Sequence, residues 1–374
     1  MNLAFFTTRM MLGYGVDLTV HEIASRLVTQ HGHRVTVWTP TSDGTYGGAP
    51  YFLREIIVYG ERVNRALPLL EWNAWQALTK LRQRLKAEGI SYDVVVPCTH
   101  PYYCAGQALG VPSVFFNFGN VPTAGFSWKG KLNWAWLGFS DDWLWKPRSA
   151  LVVSISRFLH EHQGGELRRK GAVVHLGGDH YASSGTGLRE SFRSRHGIPL
   201  DAVVLGYCGR LHQNHPPYKG TREVLALGRR LSEVEPGTRL ILCGIGSPAD
   251  EAWIRSEGAI PLANLPPDEM PAFYEALDIY ICASRWEGFN LPIVEAAWHG
   301  VPSIAYDAGA HSEHVTSVLV PDGRYDELCS AALTIVRDAQ LRKRLAAEAR
   351  ERARLFSWDA AASRFNQVLA QVVQ

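Results

Sequence analysis

Residues 287–295 read EGFNLPIVE, between the apolar run IYICAS (279–284) and AAWHGVPSIAY (296–306). A strand, a turn through Gly-Phe-Asn and a helix opening on Leu-Pro is the order of a βαβ unit. Asn290 is expected to cap that helix with its side chain, and Pro292 falls where a first turn has no use for an N–H. Glu287 then lies on the strand-to-helix loop and Glu295 in the first helical turn. The amides around Gly288, Phe289, Asn290 and Leu291 would make an anion site at the carboxyl edge of a parallel sheet. A phosphate fits there, with Glu295 accepting from ribose hydroxyls and Glu287 from those of a sugar beyond. The helix dipole alone also favours acidic residues in a first turn, by about 0.3–1 kcal/mol, with no ligand needed.

A second segment, GYCGRLHQNHPPYKG (206–220), ends a strand at Cys208 and turns at Gly209. Arg210 projects from the strand end, and Lys219 opens the next helix. Without a GxxxxGK[ST] loop, two cations at neighbouring sheet-edge positions suit clamping of a diphosphate by side-chain charge. Near the N-terminus, Gly13-Tyr14-Gly15 precedes a helix whose inner face is expected to carry Leu18, Ile23 and Leu27. Its glycines suit close backbone approach to a substrate, or simply a tight βα turn.

The chain has 374 residues, 46% of them hydrophobic, which is enough for two cores. Residues 1–150 carry a net charge of +4 and the remainder −2, so charge gives no case for a nucleic-acid partner. Strands are expected at LAFFTT, HRVTVWTP, DVVVPC, PSVFFNF and ALVVSIS, then at VVLGYCG, RLILCG, IYICAS and VPSIAY. The Gly- and Ser-rich HLGGDHYASSGTGLRESFRSRHGI is the expected interdomain connection. After Pro321 the pattern reads as continuously helical to Leu355, followed by the closing helix FSWDAAASRFNQVLAQVV. The fold class is therefore α/β, with Rossmann-like domains at 1–180 and 181–356 and a closing segment, 357–374, packing back on the first.

The six cysteines are scattered with no CxxC, which excludes a zinc knuckle or thioredoxin-like site and suits buried free thiols. The pairs His160/His162, His212/His215 and His311/His314 have metal-compatible spacing, yet none comes with a Cys or carboxylate set that completes a site. No metal site is expected. The start, MNLAFFTTRMM, is too short for a signal-peptide core, and no run has transmembrane length. A cytoplasmic protein is expected, soluble or peripheral on the inner face of a membrane. FSWKGKLNWAWLGFSDDWLWKP gathers Trp128, Trp134, Trp136, Trp143 and Trp145 with Lys129, Lys131 and Lys146. Three readings suit this 126–147 segment: packing of a long irregular stretch, a platform for a sugar, or an interfacial surface near a lipid-linked one.

Together, LGYCGRL…YKG, LILCGIGS and FYEALDIYICASRWEGFNLPIVEAAWHGVPSIAYDAGAHSEHV resemble the C-terminal domain of GT-B glycosyltransferases of the retaining family 4 type. GYG…HEIASRL…HGHRVTVWTP, SISRFLHEH…HLGGD and FSWDAAASRF extend the resemblance over nearly the whole chain. It implies two Rossmann-like domains facing each other across a cleft. It also implies retaining, metal-free transfer from a UDP- or GDP-sugar to a sugar, lipid-linked or small-molecule acceptor. Arg210 and Lys219 would neutralise the diphosphate, Glu287 would orient the sugar and Glu295 would hold the ribose. Gly209, Gly244 and Gly246 would border the nucleotide, with Gly13 and Gly15 approaching it from the first domain.

The chain departs from the family pattern at Asn290, in place of a glycine, and at Gly309-Ala310, in place of two. Many members carry a His after the strand where this chain has Asn117-Phe118-Gly119, leaving His100 or Asn117 as the polar candidate. Rival readings are a non-catalytic nucleotide-sugar-binding partner of a glycosyltransferase complex, an epimerase or phosphorylase relative, and a dehydrogenase, for which GYGVDL lacks the full GxGxxG.

Overall fold

The computed structural model describes residues 1–58, 67–182, 187–213, 217–314 and 316–373. The chain divides into one unit of Met1–Leu176 with Trp358–Gln374, and another of Gly177–Ser357.

In the first unit, β1 (Asn2–Phe6), β2 (Arg34–Thr39), β3 (Phe52–Glu55) and β4 (Val94–Pro97) pair in parallel in the order β3-β2-β1-β4. A parallel bridge from Val95 to Ser113 leads on to β5 (Val114–Asn117), β6 (Leu151–Ser154) and β7 (Gly171–Val173). Val94, Val95, Val96, Val114 and Phe116 are wholly buried, as strands covered on both faces must be. Helix Gly15–Thr29 buries Val20, Ile23, Ala24 and Leu27. Leu18 is only half-buried, because those four residues, three or four apart around the helix, already define the inner stripe. The closing helix Trp358–Val373 belongs to this unit: Phe365 packs near Phe5 and Phe116, and Asp359 accepts from Arg26 at 2.6 Å.

In the second unit, β8 (Val203–Cys208), β9 (Thr238–Gly244), β10 (Ile260–Ala263), β11 (Ile279–Cys282), β12 (Ser303–Asp307) and β13 (Val318–Pro321) form one parallel sheet. Its order is β10-β9-β8-β11-β12-β13. The winding reverses between β8 and β11, and ligands of open α/β sheets bind at the carboxyl end of such a switch point. The helical run after Pro321 breaks into Tyr325–Arg337 and Ala339–Ala353. Asp338 stands at the break in extended conformation and caps the second helix by accepting from Leu341 N at 2.8 Å.

Candidate functional site

Both predicted segments of the second unit arrive at the switch point. β8 ends at Cys208, β9 at Gly244, and the two ends meet backbone to backbone. A Cβ on Gly244, whose φ is +140°, would lie 1.7 Å from the Gly209 carbonyl oxygen. Leu211 N donates to Ile245 O at 2.8 Å, and Asn264 Nδ2 to Gly246 O at 2.8 Å, so CGIGS is pinned beside the exposed Arg210.

Lys219 closes the short turn Pro217–Lys219. Gly220 follows at φ +67°, where a Cβ would stand 2.1 Å from Ala283 O, so this turn sits directly on the end of β11. Lys219 Nζ consequently donates to both Glu287 oxygens, at 2.8 and 2.9 Å. Gly309 (φ +60°) comes so close that a Cβ would be 2.3 Å from Glu287 O, and Ala310 N donates to that oxygen at 3.0 Å. Only the first of the two family glycines carries a positive φ here, so alanine at 310 brings no strain.

Burial alone would raise the Glu287 pKa, but Lys219 and His311 outweigh it and hold the carboxyl below its usual range. Burial likewise lowers the Lys219 ammonium, and Glu287 more than compensates. The pair is ionic at neutral pH.

Asn290 occupies the N-cap position of helix Leu291–Trp298, but its side chain makes no cap. Its φ of +77° is the reason: the position needs a left-handed residue, and asparagine tolerates that conformation best after glycine. The freed amide points instead at Cys282 Sγ (3.2 Å) and His311 Nε2 (2.8 Å). Glu295 is the fifth residue of the helix, one position beyond its first turn, which contains no acid. It is almost fully buried, accepts from the Tyr274 hydroxyl, and has His180 Nε2 3.3 Å from Oε1. Gly178, where a Cβ would come 3.0 Å from Glu295 N, lets this connecting segment lie on the helix.

Sequence reasoning missed His180, Tyr274 and the Cys282–His311 pair. No spacing along the chain links HLGGDHY or FYEAL to Glu295. The expectation that no histidine finds a completing Cys and carboxylate is also corrected: His311 meets Cys282 and Glu287, which lie 29 and 24 positions earlier. His215 lies outside the described residues.

In the first unit Gly13 has φ +80°, Tyr14 occupies the N-cap position without a side-chain cap, and Gly15 opens the helix. His100, on the loop after β4, has Nε2 3.1 Å from Glu71 Oε1, and Glu71 also accepts from Ser140. Asn117 is buried, donating to Ser154 Oγ at 3.1 Å and accepting from Gly119 N at 3.2 Å. The Trp-rich stretch is not irregular. Trp128–Phe139 is a helix with no buried residue, continued by a wider turn at Ser140–Trp145, and Trp128, Leu132, Phe139 and Trp143 are exposed.

Fold and site define a protein of two Rossmann-like units whose second unit presents a cation–carboxylate pair at its switch point. The family of group 1 glycosyl transferases matches residues 202–338, and Glycosyltransferase Family 4 matches residues 14–180. D-inositol 3-phosphate glycosyltransferase of Corynebacterium glutamicum is 32% identical over 216 residues, covering 53% of this chain and 50% of the relative. The chain thus spans about half the length of the curated relatives it matches. Anabaena HepE, solved with UDP and glucose, superposes with a TM-score of 0.76 at 16% identity, over 99% of this chain and 100% of that one. A glycosyltransferase from Rickettsia africae gives 0.76 at 16%, over 100% and 98%. The group 1 and Family 4 models thus match mainly one unit each, and the fold along the whole chain is that of GT-B glycosyltransferases.

No helix among the described residues is long and apolar enough to cross a membrane.

Proposed function

We propose that the chain is a retaining glycosyltransferase moving a sugar from a nucleoside-diphosphate sugar to an acceptor hydroxyl, without needing a metal. The observation carrying this reading is the Lys219–Glu287 pair at the switch point. Lys219 now spends its contact on Glu287. An arriving diphosphate offers the ammonium a second anion and releases a Glu287 oxygen for a sugar hydroxyl. Arg210 and Lys219 then meet the charge that grows on the diphosphate as the glycosidic bond breaks. Preorganised donors at such a position are worth roughly 2.7–4 kcal/mol each.

Glu295, braced by Tyr274 and His180, is assigned to the ribose, with Gly209, Gly244, Gly246 and the 288–291 turn around the nucleotide. The likeness to HepE, solved with UDP and glucose, supports a UDP-sugar. The inositol-phosphate relatives support trying a phosphorylated polyol as acceptor. In the first unit, His100 positioned by Glu71 is the polar candidate, with Gly13 and Gly15 at the first turn. The exposed Trp and Leu side chains of the 126–147 segment, beside Lys129 and Lys131, support a peripheral contact with a lipid surface at the cytoplasmic face. Vesicle co-sedimentation with anionic lipid tests that contact, and Trp128→Ala with Trp143→Ala should abolish it.

One observation favours the non-catalytic rival: Asn117, at the family's His position, spends both ends of its amide locally. The deciding experiment is thermal stabilisation by UDP, GDP, ADP, dTDP and NAD with EDTA present, followed by transfer assays reading the product anomer by NMR. A diphosphate-specific shift with retained configuration is expected. Binding without turnover on any acceptor tried would favour the partner reading, and a shift with NAD alone would overturn both.

A further inference from the structure

Cys282, Glu287 and His311 bring a thiol, a carboxylate and an imidazole within 4.8 Å of one another, and the donor reading uses only the carboxylate. Cys282 ends β11, Glu287 follows on its loop, and His311 lies on the turn Gly309–Glu313 after β12. All three are buried.

Each group is posed as a metal ligand. His311 Nδ1 lies 2.7 Å from Tyr306 O, so that nitrogen keeps its proton and Nε2 is the atom that offers a lone pair when the ring is neutral. A carbonyl on the far nitrogen is how ligating imidazoles are held in one tautomer and orientation. Nε2 faces Cys282 Sγ at 3.8 Å. Ligands about 2.3 and 2.0 Å from one tetrahedral ion stand about 3.5 Å apart, so the pair needs to close by only a few tenths of an ångström. Asn290 Nδ2 reaches both atoms at 2.8 and 3.2 Å, so an N–H donor already occupies the place where their lone pairs converge. A thiolate, an imidazole and a carboxylate together suit zinc-type ions rather than magnesium or calcium.

We propose that Cys282, His311 and Glu287 form a site for a divalent transition ion of zinc type, and that this ion competes with Lys219 for the Glu287 carboxylate. Binding forms one metal–sulfur, one metal–nitrogen and one metal–oxygen bond, releases the thiol proton to solvent, and changes no oxidation state. Asn290 swings its amide aside, and water fills the fourth position. Occupation withdraws the carboxylate assigned to the donor sugar, making the ion an inhibitor. That consequence rests on the donor reading, whereas the metal site does not.

The test is a Co2+ titration of the full chain, freed of metal by chelation. A thiolate-to-cobalt absorption should grow to one equivalent and be displaced by Zn2+. Cys282→Ser should lose the band while melting normally, and His311→Gln should weaken binding roughly tenfold or more. Lys219→Met should strengthen it several-fold by removing the competing cation. Absence of the band overturns the site. So does its persistence in Cys282→Ser, which would point to Cys208 and Cys243, neighbours across β8 and β9. Unchanged affinity in Lys219→Met overturns the competition. Zn2+ should also abolish UDP stabilisation; failure of UDP to bind the metal-free chain sinks the donor reading and leaves the cobalt result standing.

Discussion

Glu287 and Asp17 are both carboxylates buried beside a glycine-lined βα turn, one in each unit, yet their charges are held oppositely. Glu287 has a bidentate ammonium and His311 beside it, which overcome burial and keep it ionised. Asp17 is 1% exposed, and burial pushes its pKa up to about 6; Arg9 at 3.1 Å and the Met11 amide only partly offset that. Arg9 is more exposed than Lys219 and reaches Asp17 through one hydrogen bond, so solvent screens more of its field. The lesson is that burial does not set a carboxylate's charge; the geometry of its partner does. The second unit invests a full ion pair where a sugar is proposed to bind, while Asp17 serves to tie the Arg9–Met11 segment to the helix start.

Breaking the better pair should have the largest effect. Lys219→Ala is expected to lower transfer roughly 10²–10³-fold, read as kcat with saturating donor. It should also weaken UDP far more than uridine, and equal loss for both would remove Lys219 from the phosphates. Next comes the pH response of Asp17. With its folded pKa raised, its contribution to stability is full below the unfolded value of 3.8 and is lost as pH rises through about 6. That amounts to about 3 kcal/mol across the window, measured by urea unfolding at several pH values, and Asp17→Asn should flatten this slope. Glu287 has the opposite sign. Its pKa is lowered, so its contribution is present at neutral pH and disappears only as pH falls below the ordinary carboxylate value of 4.5. Gly309→Ala, which meets the Glu287 carbonyl at positive φ, should cost about 2 kcal/mol by the same unfolding measurement. Smallest is Asn290. Replacement by Ala should cost about 1 kcal/mol and by Gly about half of that or less, and an Ala variant as stable as Gly would mean the left-handed turn is not what selects the residue.

Much of this was legible along the chain. Buried parallel strands read as largely apolar runs, and β1, β2, β4, β5, β6, β8, β9, β11 and β12 all follow such runs. β3, β7, β10 and β13 were not legible, because edge strands lack that signature: three of the four residues of β3 are exposed, and β10 begins Ile-Pro. The helix break at Asp338 was masked by an apolar period that continues on both sides of it. Glu287, Arg210 and Lys219 could be singled out because each lies on a strand-to-helix connection marked by glycine. Their ion pair could not, since Lys219 and Glu287 are 68 positions apart.

The sequence by itself determined the two α/β units, the strand-end glycines and the residue types of the site, because these follow from local periodicity and backbone conformation. Only the tertiary structure decided which charges meet. It seated Lys219 on Glu287 through Gly220, placed Tyr274 and His180 on Glu295, and brought His311 to Cys282. The Lys219–Glu287 and His311–Cys282 partnerships arise from adjacency of strands in the β9-β8-β11-β12 order, and adjacency across a parallel sheet is set by long crossover connections that leave no pattern in the chain between them.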